Sequence, residues 1–285
     1  MKIASYAIIA GFLFAGCFQQ IAVNSLGTIM NTGFEVLNEE QDLGVAAATI
    51  PSNLKLLETI IRIDPGNDPY LLLASQGYSS YALGFVEDDS VERAKDFYLR
   101  GRDYGLKILS RRRGLDDIHR KSPEELRTAL SGLSKEDVPA VFWAAIGWGS
   151  YISWSLTDPS ALADLPKVEQ MMLFVLEKDS TYYYGGAHFF LGTLYGSRSK
   201  ILGGDPEASR RHFEQCLKIS DGKFLMTYVY YARSYAVQTQ NRELFDQCLS
   251  SVDSASIDAF PQARLSNAIA KKKAQLLRAK ADELF

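Results

Sequence analysis

Three histidines are the whole supply of imidazole in this 285-residue chain: His119, His188 and His212. No two of them are spaced to share one helix face around a metal, and no His-Glu-x-x-His run occurs. His119 and His212 lie in charged segments. His188 stands alone between Ala187 and Phe189, within "YYYGGAHFFLGTLYG" at residues 182–196. There is no Gly-x-Ser-x-Gly elbow and no glycine loop ending in Lys-Ser or Lys-Thr. The glycine pairs follow no strand, so they are helix contacts rather than a nucleotide fingerprint. Glu87, Asp88 and Asp89 read as a turn and cap between paired helices. These residues give no catalytic group, metal or cofactor, and the chain is not expected to be an enzyme.

What remains is binding chemistry. Arg198 and Lys200 follow an aromatic stretch. They are either solvent-facing or, in the functional reading, a recognition point for a carboxylate, which Arg can grip with two N–H groups. The stretch "PAVFWAAIGWGSYISWSL" lacks charge over nearly a membrane thickness, yet its glycines and serines suit a buried helix better than a span. Trp143, Trp148 and Trp154 cannot all face one way on that helix, so part of it is expected to wall a cavity or groove. Tyr184 and His188, beside a double glycine where the chain turns, are expected on the same wall.

The elements that would position these residues are helical. Tyr78, Tyr81-Ala82, Phe85, Ala94, Tyr98 and Gly101 recur in identical spacing as Tyr228, Tyr231-Ala232, Tyr235, Leu244, Cys248 and Ser251. Small residues fall where paired helices approach, and rings fill the gap a turn away. That is helix-turn-helix repeat logic with a unit of about 34 residues. Leu191-Gly192 and Tyr195, with Ser209, Phe213 and Cys216, form a third copy with an insertion. The expected fold is an all-α tetratricopeptide-like (TPR-like) stack of about four helix pairs plus a C-terminal capping helix near 261–284. The charged segment 111–137 breaks the period as a loop carrying a short helix from Ser122-Pro123-Glu124. The short runs Arg111-Arg112-Arg113 and Lys271-Lys272-Lys273 read as solvated helix ends or faces.

A net charge of -3 with no basic excess argues against nucleic acid as a partner. At the N-terminus one Lys precedes the apolar run 7–14, and Ala15-Gly16 then leads directly into Cys17. That pattern reads as a secretory signal too short to span a bilayer. It resembles a bacterial lipobox with Cys17 as the lipidated residue. The expected organisation is a signal at 1–17, a tether or first helix at 18–44 and one repeat domain at 45–285. Cys216 and Cys248 fall on apolar helix faces and are expected to be separately buried thiols.

Taken together, "LLLASQGYSSYALGFVEDD", "VFWAAIGWGSYIS" and "YYYGGAHFFLGTLYGSRSKILGGDPEASRRHFEQCLKIS" resemble the tetratricopeptide-repeat lipoproteins that accompany TRAP transporters, the T components. The resemblance runs from about 45 to 250. It implies a periplasmic, membrane-anchored lipoprotein that docks the transporter's periplasmic substrate-binding protein. It also implies a homotrimer, and a groove or pore suited to an apolar or carboxylate-bearing small molecule such as an organic acid. Residues expected at that groove are Trp143, Trp148, Tyr184, His188 and Arg198. The alternative reading is a repeat lipoprotein that scaffolds envelope assembly and holds no small molecule.

Overall fold

The computed structural model describes residues 29–285, and the signal segment, Cys17 and the first part of the tether lie outside them. The described residues form helices and no strand. α1 covers 29–38. After it come α2 (Leu43–Ile63), α3 (Asp68–Phe85), α4 (Val91–Leu109), α5 (Pro123–Leu130) and α6 (Val138–Ser153). Then follow α7 (Pro159–Ala163), α8 (Leu165–Asp179), α9 (Tyr182–Gly196), α10 (Pro206–Ile219) and α11 (Met226–Tyr230). α11 runs on as a π-helical turn, Tyr231–Ala236, before α12 (Arg242–Ser254), α13 (Arg264–Arg278) and α14 (Ala281–Leu284).

Local chemistry starts most of these helices. Asp42, Asn67, Asp205 and Asn241 each accept a hydrogen bond from a first-turn amide, and Ser122 with Glu125 forms a reciprocal capping box. Proline opens α5, α6 and α10, where its missing N–H costs nothing.

Consecutive helices pack as the repeat spacing requires. The Ser75 hydroxyl donates to the Gly101 carbonyl at 2.6 Å across α3 and α4. The Ser209 hydroxyl donates to the Gly192 carbonyl at 2.7 Å across α9 and α10. In each case a glycine lets two backbones come within reach of one short side chain. The repeat-like stack buries two apolar clusters, and Tyr104, Tyr151 and Tyr183 touch both.

The 111–137 insertion is part of the packing. Leu115, Ile118, Leu126 and Leu130 are buried in the first cluster, and α5 lies against α8. Arg112 ties the insertion down by pairing with Asp68 at 3.2 Å and Asp137 at 2.7 Å.

The C-terminal segment departs from the sequence reading in two ways. It is broken into a short 3-10 turn at Pro261–Ala263, then α13 and α14. The lysine run is not a solvated face either. Lys273 is buried and bonds Glu87 and Asp88, each at 2.8 Å, while Lys271 donates to the carbonyls of Val252 and Asp253. Glu87 is likewise buried rather than an exposed turn residue: Tyr98 donates to it, and so does the Trp154 indole at 3.2 Å. Burial alone would lower the Lys273 pKa, but Tyr230, Glu87 and Asp88 opposite raise it, so the ammonium stays charged. The last long helix is therefore fastened to the turn between α3 and α4.

Candidate functional site

Inside this arrangement lies a cavity of about 110 Å³. Four helices supply its principal walls. α3 contributes Ser79, Ser80 and Leu83, and α6 contributes Phe142, Trp143 and Ile146. α9 adds Tyr183, Gly186 and Phe189, while α13 adds Leu265, Ser266 and Ile269. Phe224 and Met226 complete one side. No lining side chain carries a charge, so the space suits an apolar group.

α6 can serve as a wall because it is apolar all round. Gly147 lets it lie against the α4 backbone at Tyr98 and Arg102, and Ala144 meets Gly105. The face turned away from α4 is left for the cavity. Trp143 and Trp148, five residues apart, point in widely different directions on a helix with 3.6 residues per turn. Trp143 lines the cavity, whereas Trp148 is fully buried elsewhere. The His119 ring of the insertion lies 5.0 Å from Trp148, and Arg102 and Lys167 approach its faces. The insertion thus roofs Trp148 and keeps it away from the cavity.

The opening of α9 has the most unusual backbone. Tyr183 (φ 47), Tyr184 (φ 60) and Gly185 (φ 81) take three consecutive left-handed conformations. For the two tyrosines this costs about 1–2 kcal/mol each. Ring packing offsets it. Tyr183 meets Trp143 edge-on at 4.8 Å, and Tyr184 lies 5.0 Å from Phe224 and 4.9 Å from Phe260. The left-handed turn swings the Tyr183 ring over the cavity, and burial pushes its phenol pKa up, so it stays neutral. Gly186 follows at the wall, where a Cβ would stand 2.5 Å from the Phe142 ring.

The remaining expected groove residues lie around the cavity rather than on it. Tyr184 sits one residue behind the wall, its hydroxyl 3.4 Å from the Gln262 carbonyl. His188 turns toward α10, where its Nδ1 is 2.9 Å from Nδ1 of His212. It is therefore not a solitary histidine, because helix packing joins residues 24 apart in sequence. Arg198 donates to the Leu194 carbonyl of its own helix end at 3.2 Å. Sequence reasoning did not single out Tyr183, Phe189, Phe224 or Ile269. Two of them were within reach of the repeat register, which places Phe189 opposite Ser79 and marks position 183 as part of the turn.

Cys216 and Cys248 are free and buried, as their helix faces suggested, and burial pushes their thiols up to about 11 and about 12. Among the described residues, no group of three or more His, Cys, Asp or Glu could hold a metal ion.

A sequence model of the TRAP transporter T-component family matches residues 39–285. The chain is also similar to an uncharacterized protein of Treponema pallidum (strain Nichols). The two are 24% identical over 318 aligned residues, spanning 100% of this chain and 98% of the relative.

Proposed function

The chain belongs to the TRAP transporter T-component family, and on that premise we propose that it docks the transporter's periplasmic substrate-binding protein and takes a small apolar or carboxylate-bearing molecule into its central cavity. The accessory role in TRAP transport comes with the family. The observation that supports ligand passage is the uncharged cavity of about 110 Å³ between α3, α6, α9 and α13. A pure scaffold has no need of such a space, and a solid body would be more stable without it.

In this reading the protein works as a homotrimer in the periplasm, held to the membrane through lipid on Cys17. No helix of the described residues is long and apolar enough to cross a membrane, which fits an anchor outside the fold. A single acyl chain holds weakly, so more than one is required for stable tethering.

The test is co-purification and native mass spectrometry of the full chain with the TRAP binding protein encoded beside it. A defined complex is expected, with three copies of this chain. Absence of any complex at micromolar concentrations would sink the docking role. Ligand entry is tested separately with Ile146→Trp, which fills the cavity. That variant should keep the complex and lose small-molecule uptake.

A further inference from the structure

The cavity wall follows the internal repeat. The register that lays Tyr78 on Tyr228, Tyr81-Ala82 on Tyr231-Ala232 and Phe85 on Tyr235 also lays Ser80 on Tyr230 and Leu83 on Arg233. Ser80 and Leu83 line the cavity. Arg233 therefore occupies a cavity-facing repeat position, with a cation where the first copy has an aliphatic chain.

Its surroundings place it at the rim. The guanidinium carbon lies 5.6 Å from the Trp154 ring and 5.6 Å from the Tyr230 ring. Tyr230 in turn packs at 4.8 Å on Phe189, a lining residue. Trp154 follows Trp143 by 11 residues, which returns it to nearly the same face at the other end of α6. Arg233 is exposed, and no carboxylate oxygen of the described residues forms an ion pair with it. The nearby acids are engaged elsewhere. Glu87 accepts from Lys273, Tyr98 and Trp154, and Asp88 accepts from Lys273.

Two further features suit an anion here. Arg233 lies within the six-residue π-helical turn Tyr231–Ala236, a widened geometry that recurs at functional sites. Burial, then the neighbouring Glu87, pushes the Tyr230 phenol up to about 12, so it remains a neutral donor beside the guanidinium.

We propose that Arg233 anchors the carboxylate of an amphiphilic monocarboxylate whose short apolar tail enters the cavity between Trp143, Ile146 and Phe189. The tail is short because about 110 Å³ is less than the ~150 Å³ of a dry cavity that accommodates benzene. The proposal rests on the ligand-passage reading above and adds the headgroup, its anchor and the size class.

The experiment uses hexanoate and 1-hexanol, two probes with the same tail, and measures their dissociation constants for the full chain by ligand-observed NMR. Hexanoate should bind about tenfold or more tightly than hexanol. Arg233→Met keeps the stem over the two rings and should abolish that difference while leaving hexanol unchanged. Arg233→Lys should retain part of it, since an ammonium keeps the charge but not the planar fork. Ile146→Trp should weaken both probes. If hexanoate and hexanol bind alike and Arg233→Met changes neither, the anchor is overturned and the cavity reading stands. If neither probe binds, both are overturned. If Ile146→Trp spares hexanoate while Arg233→Met removes it, the anion sits on the surface and the amphiphile proposal fails.

Discussion

Nδ1 of His188 and Nδ1 of His212 face each other at 2.9 Å, so one imidazole must donate while the other accepts. Both rings are half-buried between α9 and α10. Burial, the His188 ring and Arg211 bring His212 down to about 4, and burial also lowers His188. The nearest packed acid, Glu169 of α8, accepts instead from the Tyr195 hydroxyl at 2.6 Å. The pair thus has no counter-ion to tolerate a second proton.

The sign of the pH effect follows. In the unfolded chain His212 titrates near 6.5, and in the fold it titrates at about 4. The unfolded state binds more protons between those values, so the full contribution is present above pH 6.5 and falls away toward pH 4. Thermal melts from pH 7 to 4.5 should show a falling Tm, and His212→Asn should flatten that fall while costing about 1 kcal/mol at pH 7. An unchanged slope in the variant would assign the acid sensitivity to other groups.

Lys273→Met tests the fastening of α13. It leaves Glu87 and Asp88 without their cation, with Glu87 only 4% exposed. A loss of about 3 kcal/mol is expected in urea unfolding. Glu87→Gln keeps an acceptor for Tyr98 and Trp154 and leaves Lys273 bonded to Asp88, so about 1–2 kcal/mol is expected. A Lys273→Met effect below about 0.5 kcal/mol would remove this cluster from the account of stability.

Gly185→Ala tests the left-handed turn. An alanine there must hold φ near 81 and bring its Cβ to 3.1 Å from the Ile219 side chain. A cost of about 1–2 kcal/mol is expected from backbone strain. If the variant is as stable as the parent, the turn does not need glycine.

The helical stack could be read from sequence because it rests on short-range rules. Asp205-Pro206-Glu207 starts α10 where capping chemistry says it must, and the Tyr78 and Tyr228 series marks helix pairs through residues that touch within one unit. The site was harder because its walls come from helices far apart in the chain. Trp143 was reachable from α6 alone, whereas Phe224 and Ile269 meet it only after the stack curves round. The His188–His212 contact and the Lys273–Glu87 pair escaped for the same reason. In each, two polar groups that look solvated in sequence satisfy each other in space. Trp148 shows the converse: its helix was identified correctly, but the insertion that roofs it decides which tryptophan reaches the cavity.

The join between α13 and the α3–α4 turn also constrains how anything can enter. An open superhelix of repeats behaves as a spring, stretching and relaxing to admit a guest. Here Lys273 acts as a clasp on Glu87 and Asp88, and Ile269 presses on Gly84 beside it. A coil clasped in this way cannot lengthen without breaking the clasp. Traffic must then depend on rings turning at a doorway, with Tyr183 at one side and the Trp154–Tyr230 pair at the other, while the frame around them stays still.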